Sequence, residues 1–360
     1  IPTRKYHGLL VAAARPPLHR WLLLAATLDK VGVSGRQYEM ASFQFERTIH
    51  PRGYEYQTDF AYSLDPDCPW VRFVYAQDGA TLVKEIALPR DRDEVVIRYR
   101  LQGPADEPLS LEIYPFTPMR DYHSVTRAFP GSYAISEIGE FVTVDAYADG
   151  PRLWMSAERL DHGDDVFFVR HPDWWYGFCY QEDADRGVEC REDMFVHGCF
   201  RAEGRGSIDV MFRAVAGFGE AMQDLPAPAA PVELSSASSS KDIEQRLGEA
   251  ARAFVVLRSR DGKPSLTTIL AGYPWFGDWG RDIFVSLPGL LLETGRFLEA
   301  RQVLEVFAST EKDGLIPNRF SDYGDGRDYN SVDASLWFIH AADAYCQASG
   351  DKAAWSDVFG

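Results

Sequence analysis

The most informative stretch of this sequence is residues 271–290, which read Ala271-Gly-Tyr-Pro-Trp-Phe-Gly-Asp-Trp-Gly-Arg-Asp-Ile-Phe-Val-Ser-Leu-Pro-Gly-Leu290. Its aromatic and charged side chains lie directly before the apolar residues of a predicted helix. Indole rings cover the apolar faces of a sugar, while carboxylate and guanidinium groups hydrogen-bond its hydroxyls. We therefore predict a ligand-facing loop that binds substrate through Trp275, Asp278, Trp279, Arg281 and Asp282. A buried turn with a structural Arg–Asp pair is the alternative.

Asp282 directly follows Arg281 at the start of this helix. A neighbouring guanidinium lowers the pKa of a carboxyl group, which suits an anion that accepts hydrogen bonds from hydroxyls and does not suit a general acid. A carboxylate at a helix N-terminus also complements the macrodipole. Both roles are compatible, since a helix end that is directed into a pocket serves both.

A second polar and aromatic block lies downstream, Asn330-Ser-Val-Asp-Ala-Ser-Leu-Trp-Phe338. Asp333 is predicted to start a helix, and Trp337 follows it by about one turn on the same face. The segment Pro317-Asn-Arg-Phe320 lies just before it. The candidates for substrate contact in these two segments are Asn318, Arg319, Asn330, Asp333 and Trp337. The residues alone favour a helix cap for Asp333, and core packing explains Trp337 nearly as well as stacking on a sugar.

These two blocks and a third, Arg4-Lys-Tyr-His-Gly-Leu-Leu-Val11, resemble in their order the bacterial and archaeal type of glycogen debranching enzyme. The resemblance covers essentially the whole chain, and block 271–290 is its most specific part. It implies an amylo-α-1,6-glucosidase that removes α-1,6-linked glucose from glycogen or another branched α-glucan with inversion. It also implies that Arg281 and Asp282 hold sugar hydroxyls in the −1 subsite, and that no metal or organic cofactor is needed. The matching family segments line the pocket, so the resemblance favours substrate contact for Asn318, Arg319 and Asp333.

Glycoside hydrolysis requires a general acid and, opposite it, a base or nucleophile, both normally carboxyl groups. In the family pattern the acid belongs to a later Thr-Trp-Met-Asp-like block and the base lies further on, and neither block occurs in these 360 residues. We therefore assign no catalytic residue and expect the acid and base beyond Gly360. The chain is expected to be a C-terminally truncated fragment that is inactive alone. A glucoamylase-like or trehalase-like enzyme and a non-catalytic glucan-binding protein are the alternatives.

The fold class follows from the periodicity of the apolar residues. Residues 1–216 contain short β-branched and aromatic runs separated by Gly, Pro or Asp, such as Val71–Tyr75, Val95–Tyr99 and Leu109–Tyr114. This pattern predicts antiparallel sheets packed as a β-sandwich. Residues 217–240 are rich in Pro, Ala and Ser and predict a linker.

Residues 241–360 show apolar residues at helical spacing. Helices are predicted to begin near Ile243, to span 282–294, to span 297–309, and to begin again at Asp333, with a loop over 312–330. Pro288 is expected to kink or shorten the second of these helices. By resemblance these are the first helices of an (α/α)6 barrel, of which about a third is present.

Composition excludes several classes of partner. The net charge of −17 repels phosphate backbones and anionic lipid, so we expect neither nucleic acid nor membrane as a partner. The five cysteines are an odd number in a large chain, which favours reduced thiols and a cytoplasmic protein. We predict no metal site, since the spacing of Cys179, Cys190, His197 and Cys199 matches no zinc pattern and that of Asp322–Asp328 matches no EF-hand. Oligomeric state is not indicated.

The run Trp174-Trp-Tyr176 allows two interpretations of equal weight. It is either a glucan platform on the surface or ordinary aromatic packing in the interior.

Overall fold

The structure, a computed structural model, describes residues 1–63, 68–90, 92–131, 133–145, 147, 150–219, 243–260, 263–273, 276–321 and 326–356. The chain divides into two compact units. The first comprises Ile1–Ala12 and Trp21–Ser239, and the second comprises Ala13–Arg20 and Ser240–Gly360. The proposed linker lies almost entirely outside the described residues.

Strands dominate the first unit and helices the second. The strands are β1 (Leu10–Arg15), β2 (Leu18–Leu24), β3 (Ala26–Val33), β4 (Arg36–Glu39), β5 (Ser42–Gln44), β6 (Ile49–Arg52), β7 (Gln57–Ser63), β8 (Trp70–Gln77), β9 (Ala80–Ala87), β10 (Glu94–Gln102), β11 (Pro108–Phe116), β12 (Arg120–Asp121), β13 (Ala134–Ile138), β14 (Phe141–Asp145), β15 (Arg152–Arg159), β16 (Phe167–Cys179), β17 (Arg191–Arg205), β18 (Ser207–Gly217), β19 (Val255–Arg260), β20 (Lys263–Ile269), β21 (Arg319–Phe320) and β22 (Arg327–Asp328). The helices are α1 (Gln181–Ala184), α2 (Ile243–Phe254), α3 (Gly280–Leu287), α4 (Phe297–Ala308) and α5 (Asp333–Ser349), with a 3-10 turn at Gly53–Tyr56 and a π-helical turn at Pro288–Leu292.

Two large antiparallel sheets form the first unit. One has eight strands in the order β13-β14-β15-β18-β10-β9-β8-β7, and the other has five in the order β16-β17-β11-β3-β4. Strand β10 shows why they pack face to face, because its alternate residues Val95, Ile97, Tyr99 and Leu101 are all buried in one core. Leu111 of β11 belongs to the same core. The predicted β-sandwich is confirmed.

The run Trp174-Trp-Tyr176 lies in β16 and is mostly packed inside. The ring of Trp174 lies 5.0 Å from that of Phe195, and the ring of Trp175 lies 5.3 Å from that of Phe116. Only Tyr176 is exposed to solvent. The two indoles are half-buried and pack against the cores of the first unit, which favours aromatic packing over a surface platform.

Three helices of the second unit share a core. Phe284 of α3 lies 4.9 Å from Phe307 of α4 and 5.4 Å from Phe338 of α5, measured between ring centroids. The predicted helices are present close to the expected bounds. The (α/α)6 barrel to which the resemblance assigns them stays a prediction.

Short strands occur where none were predicted, and β21 pairs with β22 inside the predicted loop 312–330. Strands β19 and β20 form an antiparallel hairpin where only helix and loop were expected. Pro288 shortens the second helix, which is one of the two effects expected of it, because α3 ends at Leu287. It begins a π-helical turn, in which the Glu293 N–H donates to the Pro288 carbonyl at 3.0 Å, a five-residue step.

Candidate functional site

The N-terminus of α3 is held by Asn318, which lies in the segment after α4. The Asn318 carbonyl accepts the Gly280 N–H at 2.8 Å, and its side-chain Oδ1 accepts the Arg281 N–H at 3.3 Å. These bonds satisfy two N–H groups that have no partner within the helix. Gly280 is required here because a Cβ would lie 2.7 Å from the Pro317 carbonyl oxygen. Asn318 is buried, so its side-chain oxygen supports the helix instead of facing a ligand as predicted.

Arg281 and Asp333 meet at the surface of the second unit. Arg281 lies in the first turn of α3, and its Nε is 2.8 Å from Oδ2 of Asp333 at the start of α5. Their side chains are 50% and 41% exposed, so the pair is accessible to solvent. The structure therefore brings together two residues that were selected from separate sequence blocks.

The carboxylate of Asp333 is held in its ionised form. The Ser331 hydroxyl donates a hydrogen bond to it and is the largest cause of a lowered Asp333 pKa. The positive charge of Arg281 lowers that pKa further. Asp333 is therefore an anion at neutral pH and is suited to accept hydrogen bonds, whereas a general acid needs a raised pKa.

Asp282 is exposed, and its carboxylate has no hydrogen-bond or ion-pair partner among the described residues. The guanidinium of Arg281 pairs with Asp333 and not with this sequence neighbour. Consecutive residues of an α-helix point about 100° apart, so adjacency in sequence does not make an ion pair. The expectation that Arg281 acts on Asp282 was wrong, because the partner of Arg281 is Asp333. A ligand contact for Asp282 stays a prediction.

Trp279 immediately precedes α3 and is half-buried. The Arg319 guanidinium lies 5.7 Å from the centroid of its ring, and the Phe276 ring meets it edge-on at 5.8 Å. Arg319 also forms an exposed ion pair with Asp328 at 2.7 Å. An aromatic ring and a second guanidinium are thus placed on the loops next to Arg281.

Trp337 and Asn330 are both exposed, which removes core packing as an explanation for Trp337. Trp337 lies one turn after Asp333 on α5, with its ring 5.6 Å from that of His340. Trp275 lies outside the described residues, so its predicted role is untested.

Asp278, like Asn318, is a predicted site residue that is buried in the structure. It is only 1% exposed, and its Oδ2 pairs with Arg258 of β19 and accepts the Thr268 hydroxyl of β20 at 3.3 Å. Burial raises its pKa, and Arg258 opposes that shift. The other oxygen, Oδ1, has no hydrogen-bond partner among the described residues. Asp278 therefore joins the hairpin β19–β20 to the loop before α3.

Sequence reasoning missed the three polar partners Arg258, Thr268 and Ser331. Arg258 and Thr268 lie in the hairpin that was not predicted. Its signal was present in the β-branched runs on either side of Asp261-Gly262, a dipeptide typical of tight turns. Ser331 lies within a predicted block, but a serine two residues before an aspartate carries no local signal.

Neither a metal centre nor a membrane span emerges from the described part of the chain. No three or more His, Cys, Asp or Glu side chains come together there in a way that could hold a metal ion. Within the same residues, no helix is long and apolar enough to cross a membrane.

Comparison with known proteins covers both units. The family model described as "Glycogen debranching enzyme N terminal" matches residues 1–210, and the one described as "Amylo-alpha-1,6-glucosidase" matches residues 249–360. The glycogen debranching enzyme of Saccharomyces cerevisiae is 44% identical over 86 residues, which are 22% of this chain and 6% of the yeast protein. The chain therefore spans only a small part of that curated relative.

Two solved structures resemble the chain over nearly its full length. A bacterial glucoamylase complexed with acarbose has a TM-score of 0.46 at 12% identity and is matched over 99% of this chain and 56% of that one. A putative kojibiose phosphorylase from human microbiome has a TM-score of 0.43 at 11% identity and is matched over 97% of this chain and 50% of that one. These two likenesses are too distant to contribute to the assignment. Because the first family model alone matches more than half of the sequence, the chain belongs to the glycogen debranching enzyme family.

Proposed function

We propose that the second unit binds the glucosyl unit that an amylo-α-1,6-glucosidase removes from a branched α-glucan. The observation that carries this proposal is the half-exposed Arg281–Asp333 pair, with half-buried Trp279 two residues before Arg281 in the chain. A neutral sugar offers adjacent hydroxyls that both donate and accept hydrogen bonds. A guanidinium supplies donors, a carboxylate supplies acceptors, and an indole ring covers the apolar face of the sugar.

The charge states assign separate tasks to these groups. Asp333, with its lowered pKa, accepts hydrogen bonds from hydroxyls, while Arg281 donates to a hydroxyl or ring oxygen. The N-terminus of α3 adds a positive partial charge beside them. Exposed Asp282, Arg319, Asn330 and Trp337 are proposed to widen the contact to the next glucose units. Buried Asp278 holds the loop before α3 to the hairpin β19–β20, and buried Asn318 holds the N-terminus of α3.

The reaction itself is proposed to need two further carboxyl groups. With inversion, a protonated acid donates to the leaving glycosidic oxygen, and a base removes a proton from the attacking water on the opposite face. Room for that water sets the two carboxyls about 6.5–9.5 Å apart in inverting enzymes. Asp333 is too easily ionised to be the acid, and Asp278 is too deeply buried to reach a substrate. We therefore assign neither role within this chain.

The test is an assay of a protein that contains this chain together with its catalytic carboxyls. We expect it to release glucose from a branched limit dextrin, with the β-anomer as the first product seen by NMR, and to act poorly on maltose and trehalose. A clear preference for either disaccharide would overturn the linkage in favour of a glucoamylase-like or trehalase-like activity. Binding of the dextrin without any hydrolysis would support a glucan-binding protein instead.

A further inference from the structure

The first unit carries a row of aromatic rings at the open edge of its eight-stranded sheet. Strand β7 is the last strand of that sheet, and its Phe60 and Tyr62 are 48% and 60% exposed. The rings of Tyr62 and Phe60 are 6.1 Å apart, and Phe60 lies 5.2 Å from Phe73 of β8. Phe73 in turn stacks at 6.4 Å on Tyr75, which is buried. The row therefore runs from solvent towards the interior of the sandwich.

The inner end of this aromatic row opens on a cavity of about 400 Å³. Both Phe73 and Tyr75 line it, together with polar side chains that include Tyr54, Gln57 and Lys84. The Lys84 ammonium donates to the Asp29 carboxylate at 2.6 Å and to the Thr27 hydroxyl at 2.7 Å. Small-molecule pockets typically have volumes of about 300–1,000 Å³ and combine apolar walls with a few fixed polar groups. This cavity has both properties.

A polar lining next to exposed rings distinguishes among possible ligands. A purely apolar ligand would leave the side-chain amide of Gln57 without a partner. An anion gains little, since the charge of Lys84 is already neutralised by Asp29. Sugars have apolar ring faces and hydroxyl edges, which is the combination that the aromatic row and the polar lining complement.

The edge strand itself is poorly suited to a strand from a second copy of the chain. The pairing register of β7 with β8 shifts between Gln57 and Asp59, and Asp59 is exposed. Bulges and charged side chains are the features by which natural edge strands avoid adding a further strand. The aromatic row therefore fits a ligand that lies across the rings rather than one that extends the sheet.

We propose that Phe60, Tyr62 and the adjoining cavity bind a segment of an α-glucan chain, in the first unit and apart from the Arg281–Asp333 pair. Tyr62 and Phe60 stack on successive glucose units, and the end of the chain reaches Gln57 and Tyr54 at the mouth of the cavity. This site does not depend on the proposed hydrolysis, since binding to the aromatic row requires no reaction.

The test is isothermal titration of the full chain with maltoheptaose, comparing the natural protein with Tyr62→Ala and with Phe60→Ala/Tyr62→Ala. We expect roughly tenfold weaker binding for the single variant and a larger loss for the double variant. Tyr176→Ala is the matched control, because that tyrosine is also highly exposed but lies in β16, and it should leave the affinity unchanged. Equal Tm values for all variants would show that the loss is not a folding defect.

Arg281→Ala separates this proposal from the site in the second unit. If the proposal is right, Arg281→Ala retains the Tyr62-dependent component of maltoheptaose binding. The proposal is overturned if Tyr62→Ala binds like the natural protein, or if binding disappears with Arg281→Ala alone. It is also overturned if sedimentation shows a dimer that Tyr62→Ala dissociates, because the row would then be a contact between copies.

Discussion

Arg120–Glu192 in the first unit and Arg281–Asp333 in the second are guanidinium–carboxylate pairs in opposite surroundings. The Glu192 carboxylate accepts hydrogen bonds from Nε and Nη2 of Arg120 at 2.5 and 3.1 Å. It also accepts one from the Thr126 N–H at 2.9 Å. Arg120 donates in addition to the Lys5 carbonyl at 2.6 Å. Both members are buried, and the protein itself takes up their hydrogen-bonding capacity.

Arg281 has one side-chain partner among the described residues, Asp333, and both groups face solvent. An exposed pair of this kind contributes little to stability, because water screens the charges and two long side chains lose freedom. Removing one member of a buried pair is costly, because the other charge is left without water and without a partner. A guanidinium and a carboxylate therefore support the fold in the first unit, whereas the same two groups are accessible to a ligand in the second.

The largest predicted effect is in the buried pair. Glu192→Gln should reduce the free energy of unfolding of the first unit by about 3–5 kcal/mol, because it leaves the Arg120 charge buried and uncompensated. Urea unfolding followed by tryptophan fluorescence measures this. Arg170→Ala is the control, since Arg170 forms an exposed pair with Glu137 at 3.0 Å in the same unit and should change little. A loss for Glu192→Gln no greater than that of the control would contradict the comparison.

A smaller effect is expected at the buried pair beneath the candidate site. Asp278→Asn should destabilise the second unit by about 2 kcal/mol, because Arg258 loses its charge partner. The loss is smaller than at Glu192 because burial already disfavours the ionised form of Asp278, as its raised pKa shows. Asp328→Asn, which removes the exposed partner of Arg319, is the control for the same unfolding measurement. Equal losses in the two variants would show that Asp278 has no special structural role.

A third prediction concerns the pH dependence of the free energy of unfolding, which buried His197 should affect. His197 is buried, with Nε2 at 3.0 Å from the Thr117 hydroxyl, and burial lowers its pKa from 6.5 to about 3. Below about pH 6.5 the unfolded chain therefore takes up a proton at His197 that the folded chain does not, so the free energy of unfolding falls with the pH. By pH 5 the loss from this group should reach about 2 kcal/mol.

The measurement for His197 is urea unfolding of the natural protein and His197→Gln at pH 8 and pH 5. Glutamine keeps a hydrogen-bonding group but takes up no proton, so the variant should lose less stability between the two pH values. The difference isolates His197 from the carboxylates, which titrate in both proteins. Parallel losses in the two proteins would mean that His197 is protonated in the folded state.

Much of the fold was predictable from the sequence, and the reason is local. Strand β10 alternates apolar and polar residues from Ile97 to Gln102, so the two faces of that part could be assigned before its neighbours were known. Hairpin β19–β20 was missed because Phe254 and Val255 continue the helical spacing of Ala250 and Ala251. Local periodicity does not tell where a helix ends and a strand of similar apolar residues begins.

The candidate site was predictable in its residue types and not in its pairings. Arg281 and Asp333 were both selected, but the partner of Arg281 depends on how α5 packs beside α3. Asp278 looks like a ligand contact in the sequence because it is polar and lies next to Trp279, and Asn318 was selected because its segment is similar to one in the family. Whether such a residue faces solvent or supports the loop from behind depends on burial by distant elements, here on Arg258 for Asp278.

The smallest effect on stability is expected at the exposed Arg281–Asp333 pair, where the effect on sugar binding should be large. Arg281→Ala, made in a Tyr62→Ala background to remove the proposed site of the first unit, is titrated with a trisaccharide that carries one α-1,6-linked glucose. We predict that adding Arg281→Ala weakens binding of the trisaccharide about tenfold or more, with no measurable change in the free energy of unfolding. Unchanged binding, or a destabilisation as large as that of Glu192→Gln, would contradict it.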